Sequence, residues 1–247
     1  DLNRGAKMSI PPAREGATKV RVLIVDDSAV VRGLVLRWLS AEDGMEIIGV
    51  AMNGREGVAM AARFKPDVIV LDVEMPELDG IGAIPQILQA APGTRILMAS
   101  TLTQRNAEIT LRALSLGAAD YVAKPETGQI TGAADFKRDL IARVRALGAR
   151  RRTVPAAASS APGASPAPPQ RASALAMRPG LKRPAEVIVI GSSTGGPQAL
   201  TKLIGAIGGK VRPPILITQH MPAMFTAILA EHLAKVSPAP VTEAQDG

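Results

Sequence analysis

The chain has no cysteine, which excludes disulfides, thiolate metal sites and a cysteine nucleophile. Aromatic residues are scarce: one Trp, one Tyr and three Phe in 247 positions. A core must therefore be built from Val, Ile, Leu and Ala, which the 47% hydrophobic content supplies. No uninterrupted apolar run approaches the roughly 20 residues that cross a bilayer. Residues 1–19 are polar, contain Pro11 and Pro12, and show no apolar signal-peptide core. A soluble, cytoplasmic protein without membrane insertion is expected.

Acidic residues are missing from one long stretch. Between positions 141 and 185 there is none, against nine Lys and Arg. The net charge of +7 thus resides there, and the rest of the chain sums to −2. From 153 to 184 the composition is Ala, Pro, Ser and Gly with basic punctuation. Such a segment buries too little surface to offset its ordering entropy. It reads as a solvated linker, with docking on an acidic partner as the second reading. The expected organisation is a tail (1–18), a first domain (19–149), a basic linker (150–184) and a second unit (185–247).

What is present in the first domain is a repeating alternation. Apolar β-branched runs at 20–25, 46–51, 68–71, 95–99 and 121–123 read as buried strands. Between them the apolar spacing turns helical. Val31, Leu34, Val35, Trp38 and Leu39 fall on one helix face, and Ser28 is placed to cap it. Further helices are expected at 54–63, from 81, at 106–116 and at 135–147. Pro85 should weaken or kink the third. Five βα units argue an α/β fold: a parallel sheet in the flavodoxin-like order 2-1-3-4-5, with helices on both faces.

Chemistry-bearing residues collect at one edge of that sheet. Asp26 and Asp27 end the first strand and Asp72 ends the third. Ser100 and Lys124 end the fourth and fifth. Singly, such acids are often helix caps or turn formers. Together, three carboxylates repel unless a cation is present, and oxygen-only ligands favour Mg²⁺. A cation, a hydroxyl and an ammonium around one carboxylate suit phosphoryl transfer to it.

The runs Val25, Asp26, Asp27, Ser28 and Leu71, Asp72, Val73, Glu74, Met75, Pro76, with Asp79, Gly80, Ser100 and Tyr121 to Pro125, resemble the receiver domain of two-component response regulators. The resemblance covers about 19–149. It implies Asp72 as phosphoacceptor, and Asp27 and Asp72 as direct Mg²⁺ ligands. Asp26 would act mainly through water, and the Glu74 carbonyl would complete the shell. Ser100 and Tyr121 would form the switch pair, and Lys124 would contact the phosphoryl group.

In the second unit, strands are expected at 187–190 and 215–218, with helices at 197–207 and 225–234. Gly191, Ser192, Ser193, Thr194 and Gly195 fit Gly-x-Ser-x-Gly between a strand and a helix, the setting of a nucleophile elbow. His220 ends the next strand, within reach of Ser193 if the two strands are neighbours. Two plainer readings stand beside this one: a glycine turn that cradles phosphate, and a histidine that is only a polar strand end. Combined with a receiver, the runs 190–197 and 219–222 resemble the catalytic domain of chemotaxis protein-glutamate methylesterases. The resemblance implies Ser193 as nucleophile, His220 as its base and Thr194 as a supporting neighbour. It implies methylated glutamates and glutamines on cytoplasmic chemoreceptor helices as substrates, and a chemotaxis sensor histidine kinase as phosphodonor. In that family the unphosphorylated receiver covers the esterase site. The family's third triad member, an Asp, is expected further downstream than Asp246. The chain is therefore expected to be truncated and inert as an esterase. The alternative is a non-catalytic receiver acting as a phosphate sink. No nucleic-acid role is expected, because nothing after the linker reads as helix-turn-helix.

Overall fold

The computed structural model describes residues 19–101, 103–124, 130–151 and 185–246. Most of the expected linker, 152–184, lies outside the described residues. Five strands run in parallel: β1 (Val20–Val25), β2 (Met45–Ala51), β3 (Val68–Asp72), β4 (Arg95–Thr101) and β5 (Asp120–Lys124). Their order is β2-β1-β3-β4-β5, as expected. The alternation along each strand divides the core into two layers. Leu23, Val25, Ile69, Leu71, Met98 and Tyr121 face one side, and Val22, Ile24, Val68, Val70, Leu97 and Val122 the other. The central β3 is buried throughout, which is why its sequence is an unbroken apolar run.

The connecting helices are α1 (Ala29–Ser40), α2 (Gly54–Phe64), α3 (Gly80–Ala90), α4 (Gln104–Ser115) and α5 (Ile130–Arg151). Helices α1 to α4 open on a side-chain cap, from Ser28, Asn53, Asp79 and Thr103. Pro85 lies in the interior of α3, yet the helix continues through it. Pro85 is exposed, so the carbonyl one turn earlier, deprived of an N–H partner, is on the side that water reaches. Helix α5 extends four residues past the expected end. No proline occurs in 148–151 to stop it.

The second unit comprises β6 (Ile188–Ser192), α6 (Gly196–Ile207), β7 (Ile215–Gln219) and α7 (Ala223–Val236), with β6 and β7 parallel neighbours. It does not stand free of the first. Leu200, Ile204, Phe225, Leu229 and Leu233 join the same buried cluster as Leu111, Leu114 and Tyr121. Helix α4 packs against both α6 and α7. The Phe225 and Tyr121 rings stack at 4.9 Å, with planes 3° apart. Such a pair contributes about 0.5–1.5 kcal/mol beyond its buried area.

Candidate functional site

The first site is a cavity of about 360 Å³ at the carboxyl edge of the five-stranded sheet. Asp27, Asp72, Glu74, Ser100 and Lys124 line it, as the sequence led us to expect. Strand register explains the convergence. Asp72 pairs with Ala99, so Ser100 projects one step beyond it, and Ser100 pairs with Ala123, next to Lys124. The chain returns to this edge at Gly80, whose N–H donates to the Val73 carbonyl at 2.9 Å. A Cβ on Gly80 would stand 2.1 Å from the Asp72 carbonyl oxygen, so only glycine permits that approach.

Asp26, Asp27 and Asp72 each offer an oxygen within 4.8 Å of the others. Lys124 Nζ sits 2.6 Å from Asp26 and 2.8 Å from Asp72, supplying the positive charge this cluster needs. That arrangement fits a hard cation: three carboxylate oxygens lie close together, and Lys124 contacts only Asp26 and Asp72 of the three. Asp72 Oδ1 also accepts the Val73 N–H at 2.7 Å, and Asp26 Oδ1 accepts the Ser28 N–H at 2.9 Å. Arg32 steadies the turn between them by donating to the Asp26 and Asp27 carbonyls, both at 2.7 Å. Asp26 and Asp72 are buried, whereas Asp27 is exposed.

Burial raises the Asp72 carboxyl from 3.8 to about 6, against the pull of Lys124 in the other direction. The folded protein therefore holds this proton more tightly than the unfolded chain. In metal-free protein the stabilising effect is full below pH about 4 and is lost as pH rises through about 6. The loss from this one group is on the order of 3 kcal/mol by neutral pH. Denaturant titrations with chelator, from pH 4.5 to 7.5, are expected to show wild type losing stability relative to Asp72→Asn. A pH-independent difference would contradict this burial effect.

Tyr121 does not line the cavity. It lies on the same sheet face as Ser100, two pairing positions earlier, since Met98 is its partner on β4. Its ring is buried against Phe225, and its hydroxyl has no hydrogen-bond partner among the described residues. Burial pushes the phenol up, and Arg143, whose guanidinium lies 5.5 Å from the ring centre, acts against this. The preceding residue, Asp120, is fully buried and pairs with Arg143 at 2.7 Å. Its second oxygen has no hydrogen-bond partner among the described residues. Burial raises the Asp120 carboxyl, with Arg143 the main opposing influence. This pair was missed in the sequence, where an Asp opening a strand and an Arg in a basic helix look like surface residues. Arg143→Ala leaves Asp120 buried without a counter-charge. The expected cost is about 3–5 kcal/mol, read as a lowered denaturation midpoint. A change within about 0.5 kcal/mol would refute it.

The second site joins the ends of β6 and β7. Ser192 pairs with Gln219, which places Ser193 and His220 one step further on, side by side. The His220 N–H donates to the Ser192 carbonyl at 3.0 Å. Gly195 takes the left-handed conformation, φ 73°, and starts α6 with Pro197 in its first turn. Ser193 and His220 are exposed and Thr194 is half-buried. Among the described residues no hydrogen bond joins the Ser193 and His220 side chains.

Acids at the ends of β1 and β3, a hydroxyl and a lysine at the ends of β4 and β5, and the 2-1-3-4-5 sheet define a response-regulator receiver. Residues 22–134 match the response regulator receiver domain family, and residues 188–247 match the CheB methylesterase family. A protein-glutamate methylesterase/protein-glutamine glutaminase of Maricaulis maris is 46% identical over 267 residues, covering 96% of this chain and 67% of that protein. One of the group 2 operon of Bradyrhizobium diazoefficiens is 51% identical, covering 94% of this chain and 64% of that protein. The solved response regulator domain of Thermotoga maritima CheB is 37% identical, covering 53% of this chain and 97% of that chain at a TM-score of 0.49. The chain belongs to the family of protein-glutamate methylesterases/protein-glutamine glutaminases, and it spans about two thirds of the length of these curated relatives.

Proposed function

We propose that the protein is a chemotaxis response regulator whose phosphorylation activates hydrolysis of glutamate methyl esters, and deamidation of glutamines, on cytoplasmic chemoreceptor helices. The observation that carries this is the junction of two sites: Tyr121, on the receiver strand that ends at Lys124, stacks on Phe225 of the unit that bears Ser193 and His220.

In the receiver, Asp72 accepts the phosphoryl group from a sensor histidine kinase. Asp26, Asp27 and Asp72, with the Glu74 carbonyl, would hold Mg²⁺, which offsets phosphoryl charge during transfer. Lys124 contacts the phosphoryl oxygens. Ser100 and Tyr121 carry the change towards α4 and the second unit. In that unit, Ser193 Oγ attacks the ester or amide carbonyl while His220 takes its proton. The leaving methanol or ammonia receives that proton, and water then releases glutamate from the acyl-serine. Thr194 supports the turn. The protein acts in the cytoplasm, with residues 1–18 as a tail, 19–149 as receiver, 150–184 as connector and 185–247 as part of the esterase domain.

The test is methanol release from methylated receptor by the full-length protein, with and without acetyl phosphate and Mg²⁺. Turnover that rises with the phosphodonor supports the reading. Phosphorylation without methanol release under either condition would leave a non-catalytic phosphate sink instead.

A further inference from the structure

Gln219 ends β7 immediately before His220, and its side chain bridges the two strand ends. Ser192 Oγ donates to Gln219 Oε1 at 2.6 Å. Gln219 Nε2 donates to the Ser193 carbonyl at 3.1 Å and to the His220 carbonyl at 3.2 Å. One amide thus ties together the peptide units that carry Ser193 and His220. The Ser193 carbonyl also receives the Gly196 N–H at 2.7 Å, closing the turn against the helix start.

The space around this amide is committed to it. A Cβ on Gly196 would lie 2.0 Å from Gln219 Oε1 and 3.0 Å from Ser192 Cβ. The glycine that begins α6 is therefore matched to the glutamine that ends β7. Beyond Ser192 and Gln219 the parallel ladder has finished, and both Ser193 and His220 are exposed. Beside the His220 N–H bond to the Ser192 carbonyl and a longer Ser192 Oγ bond to the Thr218 carbonyl at 3.4 Å, the Gln219 amide links these two ends.

We infer that Gln219 is a positioning residue of the hydrolytic site, setting the separation and orientation of Ser193 and His220. This role rests on the functional reading above. An amide suits it because one end accepts while the other donates twice. A carboxylate of the same shape accepts but cannot donate to two carbonyls, and a hydrocarbon does neither. Attack requires serine and imidazole within hydrogen-bond reach, and a misplacement near 1 Å costs about 100-fold in rate.

The experiment compares full-length wild type with Gln219→Glu, Gln219→Met and Ser192→Ala. Substrate is methylated receptor, and a fluorophosphonate probe reports Ser193 reactivity directly. Both Gln219 variants are expected to lose about 10- to 100-fold in kcat with KM changed less than about twofold, and to label more slowly by a similar factor. Ser192→Ala, which removes the short bond to Gln219 Oε1 and the longer one to the Thr218 carbonyl at 3.4 Å but leaves the Gln219 Nε2 bonds, should lose about 3- to 10-fold. Phosphorylation of Asp72 by acetyl phosphate should remain at the wild-type rate in all three, showing an intact receiver, and unchanged circular dichroism and denaturation midpoint should show the second unit folded. Gln219→Glu and Gln219→Met with wild-type kcat and labelling rate would overturn the positioning role alone. Absence of ester hydrolysis by wild type would overturn the functional reading and this role with it.

Discussion

Asp72→Asn is expected to abolish phosphorylation of this protein by acetyl phosphate, with no residual label on another carboxylate above about 1% of wild type. The amide keeps the shape of the side chain but is not nucleophilic towards phosphorus. The neighbours are poor substitutes. Asp26 is engaged with Lys124 and the Ser28 N–H, and Asp27 is exposed, at the end of β1 rather than of the central strand. Only Asp72 combines position at the end of the central strand, a lysine at 2.8 Å and a place in the cavity wall. Phosphate incorporation resolved on phosphate-affinity gels checks this. Substantial labelling of the variant would move the phosphoacceptor elsewhere. Because phosphorylation is proposed to activate the esterase, the same variant should hydrolyse methyl esters only at the rate seen without phosphodonor.

The architecture was legible because local patterns carry it. A run such as 68–71 is β-branched without alternation, and α1 shows an apolar stripe at helical spacing. Strand ends were legible too, since carboxylates interrupt apolar runs there, and strand order then brings them together. Tyr121 was placed correctly on β5, but its surroundings were not foreseen. The residues that contact it, Phe225 and Arg143, are 104 and 22 positions away, and no periodicity encodes such contacts. Asp120 and Arg143 illustrate the same limit. Their charges argue for the surface, and only their mutual pairing under the second unit permits burial. Gln219 was visible beside His220 but gave no signal of its own. Its role depends on a bridge from β7 to β6 and on the missing side chain of Gly196. Pro85 shows the converse, a local rule overridden because the helix there faces water on the side where its bond is lost.

Ser193→Ala in the full-length protein is expected to lower methyl-ester hydrolysis by about 10⁴-fold or more. The size of the effect follows from covalent catalysis: without Oγ no acyl-enzyme forms, and His220 has no hydroxyl to deprotonate. Ser192, one residue earlier, cannot take over. Its hydroxyl is half-buried and bonded to Gln219 at 2.6 Å, on a strand residue that pairs into the sheet. Thr194 follows on the other side, half-buried within the turn that leads to Gly195. Asp72 phosphorylation should be untouched in this variant, because the two sites lie at the ends of different sheets. Together with Asp72→Asn, which should lose phosphorylation but keep basal hydrolysis, the pair separates signal reception from chemistry. Hydrolysis surviving in Ser193→Ala, measured as methanol release, would mean that the exposed serine at the elbow is only the turn residue that its glycine neighbours also allow.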